Sequence, residues 1–83
     1  MEIEIIPLAS KKIERRKIER GLIEEAILDP DQTVEGYAKR EVRQKIYTIE
    51  GKRYLLRVIC EKEQDKIIVI TAYLTSQIKR YWR

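Results

Sequence analysis

Histidine is absent from all 83 residues. That excludes the Ser-His-Asp triad, the Cys-His dyad and any ribonuclease mechanism built on an imidazole acid or base. The single cysteine, Cys60, allows no internal disulfide, which points to a reducing compartment. A zinc site would need carboxylates for its other ligands, so no metal is expected. Cys60 closes the segment Leu55–Cys60, which reads as a buried strand, and is expected to be an inert core thiol, because a reactive one needs exposure and a cationic neighbour. Three glycines, Gly21, Gly36 and Gly51, form neither a phosphate loop nor a dinucleotide fingerprint, and no cofactor is expected. No apolar run approaches about 18 residues and no charged-then-apolar leader opens the chain. The expected location is therefore the cytoplasm, away from any membrane.

What is present suits one folded domain spanning residues 1–83. Hydrophobic residues make up 43% and charged residues 39%, enough for a single core under a densely charged surface. Isoleucine dominates the apolar set, and β-branched side chains favour strands. Eighteen basic residues against 14 acidic ones give a net charge of +4, compatible with an anionic partner. The clearest basic stretch is Lys79, Arg80, Tyr81, Trp82 and Arg83, which holds no acid.

The pattern predicts an α+β fold. Met1–Ile6 alternates as a short edge strand closed by Pro7. Ser10 is placed to cap a surface helix running to about Arg20, with Gly21 ending it. Leu22, Ile23, Ala26 and Ile27 give a second helix a better apolar stripe, stopped at Asp29-Pro30-Asp31. The remainder reads as an antiparallel four-stranded meander: Thr33–Ala38, Val42–Ile49, Lys52–Glu61 and Lys66–Tyr73. Its turns fall at Glu50-Gly51 and Glu63-Gln64-Asp65. In the last strand, Ile67 and Val69 are expected on one face and Ile68, Ile70 and Ala72 on the other, as in a strand covered from both sides. Thr75 or Ser76 can cap a short final helix, Gln77–Trp82, docked through Ile78 and Trp82.

Candidate chemistry lies with Arg, Lys, Tyr, Thr and Ser. Alternation puts Arg57 with Arg53, Leu55 and Ile59 on one face of an interior strand. Such an arginine is either paired with a carboxylate such as Glu35 or Glu41, or placed to fork a phosphate or a transition-state oxyanion. Arg43 and Lys45, with Tyr47, share a face of the neighbouring strand. They either extend a positive groove or form a solvated surface. Thr75, Ser76, Lys79, Arg80 and Tyr81 offer hydroxyls, cations and an aromatic ring for anion and base contacts. The plainer alternative is that they cap, pack and face solvent.

Glu19-Arg20-Gly21-Leu22-Ile23-Glu24-Glu25, Leu28-Asp29-Pro30-Asp31, Tyr54-Leu55-Leu56-Arg57-Val58-Ile59 and Ile70-Thr71-Ala72-Tyr73 with Thr75-Ser76 and Lys79-Arg80-Tyr81-Trp82 together resemble a small prokaryotic family. That is domain-of-unknown-function family 4258, similar to the RelE/ParE and BrnT-type toxins. The resemblance covers roughly Lys12 to Trp82. Gln77 stands where many members have lysine, and a histidine many relatives carry near Ser10 to Lys12 is missing. The similarity implies a RelE-like fold and a toxin of a toxin–antitoxin pair that cleaves RNA without metal, through Lys, Arg and Tyr. The positions implied are Arg57, with Lys45, Arg80, Tyr73 and Tyr81 assisting; the implied partner is a small acidic antitoxin. ParE-like relatives act on gyrase, and the alternative reading is a non-catalytic domain binding nucleic acid or protein. The N-terminal edge strand leaves a homodimer open.

Overall fold

The computed structural model describes residues 2–83, so Met1 of the expected first strand lies outside them. The chain runs β1 (Glu2–Ile5), α1 (Pro7–Arg15), α2 (Arg20–Leu28), β2 (Gln32–Glu35), a single 3₁₀ turn (Tyr37–Lys39), β3 (Glu41–Ile49), β4 (Lys52–Glu63), β5 (Lys66–Thr75) and α3 (Ile78–Tyr81). The five strands form one sheet in the order β1-β5-β4-β3-β2. The expected antiparallel meander is β2 to β5, and β1 adds a fifth strand parallel to β5 at the edge. β4, which carries Arg57, is the middle strand.

Turn chemistry sets the register. Glu50 and Gly51 both have positive φ (50° and 78°), as a two-residue type I′ hairpin requires, and they place Ile49 opposite Lys52. The β4–β5 register slips by one residue between Ile59 and Cys60, which pair with Thr71 and Val69 and leave Ile70 as an extra residue. This bulge corrects the strict alternation expected for β5. Ala72 joins Ile67 and Val69 in the core instead of sharing a face with Ile68 and Ile70.

The first helix also departs from expectation. Pro7 opens α1 rather than closing a strand, since its fixed φ suits a first helical position. Ile6 is the N-cap, and Ser10 lies inside the first turn with its N–H bonded to the Ile6 carbonyl at 2.9 Å. α1 stops at Arg15 in a Schellman motif: Lys17 takes φ 57°, its N–H bonds the Glu14 carbonyl at 3.0 Å, and the Ile18 N–H bonds the Ile13 carbonyl at 3.1 Å. Ile13 and Ile18 meet in the core across that stop. Gly21 therefore sits in the first turn of α2 and terminates nothing. The predicted strand Thr33–Ala38 ends at Glu35, because Ala38 (φ 59°) and Lys39 (φ 65°) turn the chain back.

Both longer helices pack on one face of the sheet. Ala9, Ile13, Ile23, Ala26 and Ile27 meet Leu56, Val58, Cys60, Ile67, Val69 and Ala72 there. Fully burying one such aliphatic side chain contributes about 1.5–3 kcal/mol, so this layer carries most of the stability. Leu55 and Val42 are buried on the opposite face, which the C-terminal segment crosses. Among the described residues no helix is long and apolar enough to cross a membrane.

Candidate functional site

Gln32, Gln44, Arg57 and Tyr73 are successive cross-strand partners on β2, β3, β4 and β5, forming one polar row on the face away from α1 and α2. Their side chains bond in series. Arg57 Nε donates to Gln44 Oε1 at 2.6 Å, and Arg57 Nη1 donates to the Tyr73 hydroxyl at 2.5 Å. Gln44 Nε2 donates to Gln32 Oε1 at 2.9 Å and to the Tyr81 carbonyl at 3.4 Å. Gln44 is the one fully buried polar side chain among the described residues. A buried amide is tolerated only when its groups are bonded, as these are.

The C-terminal segment lies over the row. Gln32 clasps Arg83 twice, accepting from its N–H at 3.0 Å and donating to its carbonyl at 2.8 Å. Tyr81 is thereby laid on Arg57, with its ring centroid 4.1 Å from the guanidinium carbon, in cation–π range. Tyr73 meets the Tyr81 ring edge-on at 6.2 Å. Arg80 flanks the same ring at 5.4 Å.

Arg57 is half-buried, yet among the described residues no carboxylate pairs with it. Glu41 instead takes Arg43 at 3.0 Å, and Glu35 is exposed. Two neutral oxygens hold the guanidinium in place without cancelling its charge. Its Nη2 has no hydrogen-bond partner among the described residues. Since no described side-chain nitrogen or oxygen is sealed away unpartnered, that donor opens to solvent.

Four of the expected residues, Arg57, Tyr73, Arg80 and Tyr81, come together here. Arg43 and Lys45 do not. Adjacent to Gln44 on β3, they point to the helix side, so the groove they were expected to extend does not include them. There they secure the C-terminal end of α2: Arg43 Nη1 donates to the Ile27 carbonyl and Lys45 Nζ to the Asp29 carbonyl, each at 2.7 Å. Cations at a helix C-terminus bond its free carbonyls and complement its dipole. Tyr47 completes this anchor, donating to Glu25 at 2.6 Å, and burial pushes its phenol pKa well up, with the Glu25 carboxylate adding to the effect.

α3 is shorter than expected, and neither Thr75 nor Ser76 caps it. Gln77 is the N-cap, and Thr75 Oγ1 accepts from the Gln77 N–H at 3.1 Å. Trp82 lies past the helix in extended backbone, part exposed. Beside this segment is a shallow hollow of about 540 Å³ lined by Arg53, Ser76, Gln77, Ile78, Lys79 and Arg80, without a carboxylate. Ser76, Lys79 and Arg80 are among the candidates the sequence offers, whereas Arg53, noted there only as sharing a face with Arg57, and the two glutamines that fasten the row are not. Cys60 is buried on the helix side, and burial pushes its thiol pKa up, as an inert core position implies.

No curated protein and no solved structure matches the chain. The family model for a domain of unknown function (DUF4258) matches residues 9–74, from within α1 to the penultimate residue of β5, which takes in Gln32, Gln44, Arg57 and Tyr73 and leaves out α3. The chain belongs to this DUF4258 family.

Proposed function

We propose that the face carrying Arg57 binds RNA and that the chain is the toxin of a toxin–antitoxin pair, an endoribonuclease needing no metal. One observation carries this: Arg57 is fixed by neutral partners, Gln44 and Tyr73, with its charge uncancelled and one donor open. A guanidinium held in place in this way, charged and with a donor still free, is suited to a phosphate whose charge grows in the transition state. In the reaction the ribose 2′-oxygen bonds to the adjacent phosphorus and the bond to the 5′-oxygen breaks, leaving a 2′,3′-cyclic phosphate and a 5′-hydroxyl. Solvent takes the 2′-hydroxyl proton. Because Tyr73 accepts from Arg57, its own phenolic proton is free for the leaving 5′-oxygen. Arg80 and Tyr81 sit beside this centre, and a small acidic antitoxin would oppose it by covering the same cationic face.

The test is incubation of the purified chain with a labelled ribo-oligonucleotide in excess EDTA. Cyclic-phosphate ends are expected, falling about 10²–10³-fold in Arg57→Gln, the scale of losing one oxyanion donor. Intact RNA with folded protein, or full activity in Arg57→Gln, removes the catalytic reading. A second reading, a domain that binds RNA or a protein without cutting, is favoured by the lack of any carboxylate paired with Arg57 to serve as a base. It predicts salt-sensitive RNA affinity with no cleavage, or no RNA affinity if the partner is a protein.

A further inference from the structure

We infer that the hollow beside α3 is a second nucleotide subsite, so that the ligand is a single strand of at least two nucleotides, one phosphate on Arg57 and the next nucleotide in the hollow. The inference rests on the RNA reading of Arg57 and adds to it where the neighbouring residue goes.

Three properties of the hollow support it. Arg53, Lys79 and Arg80 supply three cations, and none forms a salt bridge among the described residues. Arg80 makes only a 3.3 Å bond to Gln77 Oε1. The hollow's apolar surface comes from Ile78 together with the aliphatic stems of Arg53, Lys79 and Arg80, side chains that carry their charge only at the far end. A flat base over an apolar floor with phosphate at a cationic rim matches that division, and about 540 Å³ accommodates one nucleotide.

The hollow is also joined to Arg57. The guanidinium carbons of Arg57 and Arg80 lie 4.1 Å and 5.4 Å from the same Tyr81 centroid, which puts them less than about 10 Å apart. Neighbouring phosphates of one extended strand can bridge that gap, beside the Tyr81 ring that both cations adjoin. Another hollow, on the α1 side, lacks this character. It is lined by Lys11, Glu14, Arg15 and Lys17, with a carboxylate among its cations and no apolar side chain.

The experiment is fluorescence anisotropy with 2′-O-methyl RNA of one to eight nucleotides, which blocks the attacking hydroxyl, at 50 and 200 mM salt. Wild-type affinity should rise steeply from one nucleotide to two or three. Arg53→Ala/Lys79→Ala, two exposed positions whose loss should leave thermal unfolding unchanged, should weaken the longer oligomers at least tenfold. Its salt dependence should flatten by roughly 1.4 in log–log slope, two phosphate contacts on a single strand. Arg57→Gln should bind more weakly but keep the length dependence. Unchanged affinity in the double variant, with the wild type still binding RNA, overturns the subsite and leaves Arg57 untouched. No wild-type binding at 50 mM salt overturns the RNA reading itself. Inorganic polyphosphate of equal charge binding as tightly as RNA overturns the base pocket.

Discussion

Gln44→Glu changes one atom's chemistry at the centre of the row and separates charge from fold. The amide oxygen already sits 2.6 Å from Arg57 Nε, so a carboxylate can occupy its place with little movement and form an ion pair where a neutral bond stood. Gross attraction at about 4 Å is about 4 kcal/mol at an effective dielectric of 20. Against it stand the desolvation of a carboxylate in a fully buried position and the loss of the donors to Gln32 and the Tyr81 carbonyl. These terms are of similar size, so unfolding free energy should shift by no more than about 1–2 kcal/mol. The effect on an anion bound at Arg57 has one sign. A new negative charge about 7 Å from a phosphate repels it by about 2 kcal/mol at the same dielectric, roughly 30-fold in affinity. Urea unfolding and RNA anisotropy on the same preparation measure both. A folded Gln44→Glu protein that binds RNA as well as the wild type would refute the idea that Arg57's uncancelled charge makes this face a site.

Other consequences follow from the helix side of the sheet. Lys45→Met removes the cation on the Asp29 carbonyl and should cost about 1 kcal/mol in urea unfolding, while RNA affinity stays within about twofold because Lys45 faces away from Arg57. Tyr47→Phe should be destabilised near pH 8 by about 1 kcal/mol through loss of the Glu25 bond. Because the folded-state phenol pKa is raised above its ordinary 10.0, wild-type stability declines as pH climbs past 10 and the gap to Tyr47→Phe narrows, visible in unfolding curves at pH 8 and pH 11. Leu56→Ala opens a cavity in the main core and should cost about 2–5 kcal/mol, read as a lowered urea midpoint. Cys60 should react with a thiol reagent only as fast as the chain unfolds, and rapid labelling under native conditions would contradict its burial.

Much of the site was already legible in spacing. The two-residue Glu50-Gly51 turn pairs 49 with 52, and counting outward pairs 44 with 57, so Gln44 beside Arg57 follows from the turn alone. The same count from the next turn pairs Arg57 with Ala72 instead of Tyr73. The bulge at Ile70 shifts the register by one, and nothing in a run as uniformly β-prone as Ile67 to Thr71 announces where the extra residue falls. Arg43 and Lys45 were distinguishable from Arg57 by parity once that pairing is drawn, but what they bond was not. Carbonyls at a helix end have no signature in the residues that meet them. The early stop of α1 was hidden for a related reason: Lys17 takes the left-handed conformation that Gly21, four residues on, was better suited to adopt. The double clasp of Gln32 on Arg83 joins residues 51 apart through main-chain atoms, which carry no residue-type signal.

Titrating the isotope-labelled chain with a short single-stranded RNA, and following the arginine Nε–H resonances by NMR, tests the central claim most directly. The Arg57 and Arg80 signals should move in proportion to bound RNA, while Arg43, bonded to Glu41 and the Ile27 carbonyl behind the sheet, stays still. Shifts at Arg43 with Arg57 unmoved, or no shift at any arginine, would contradict it.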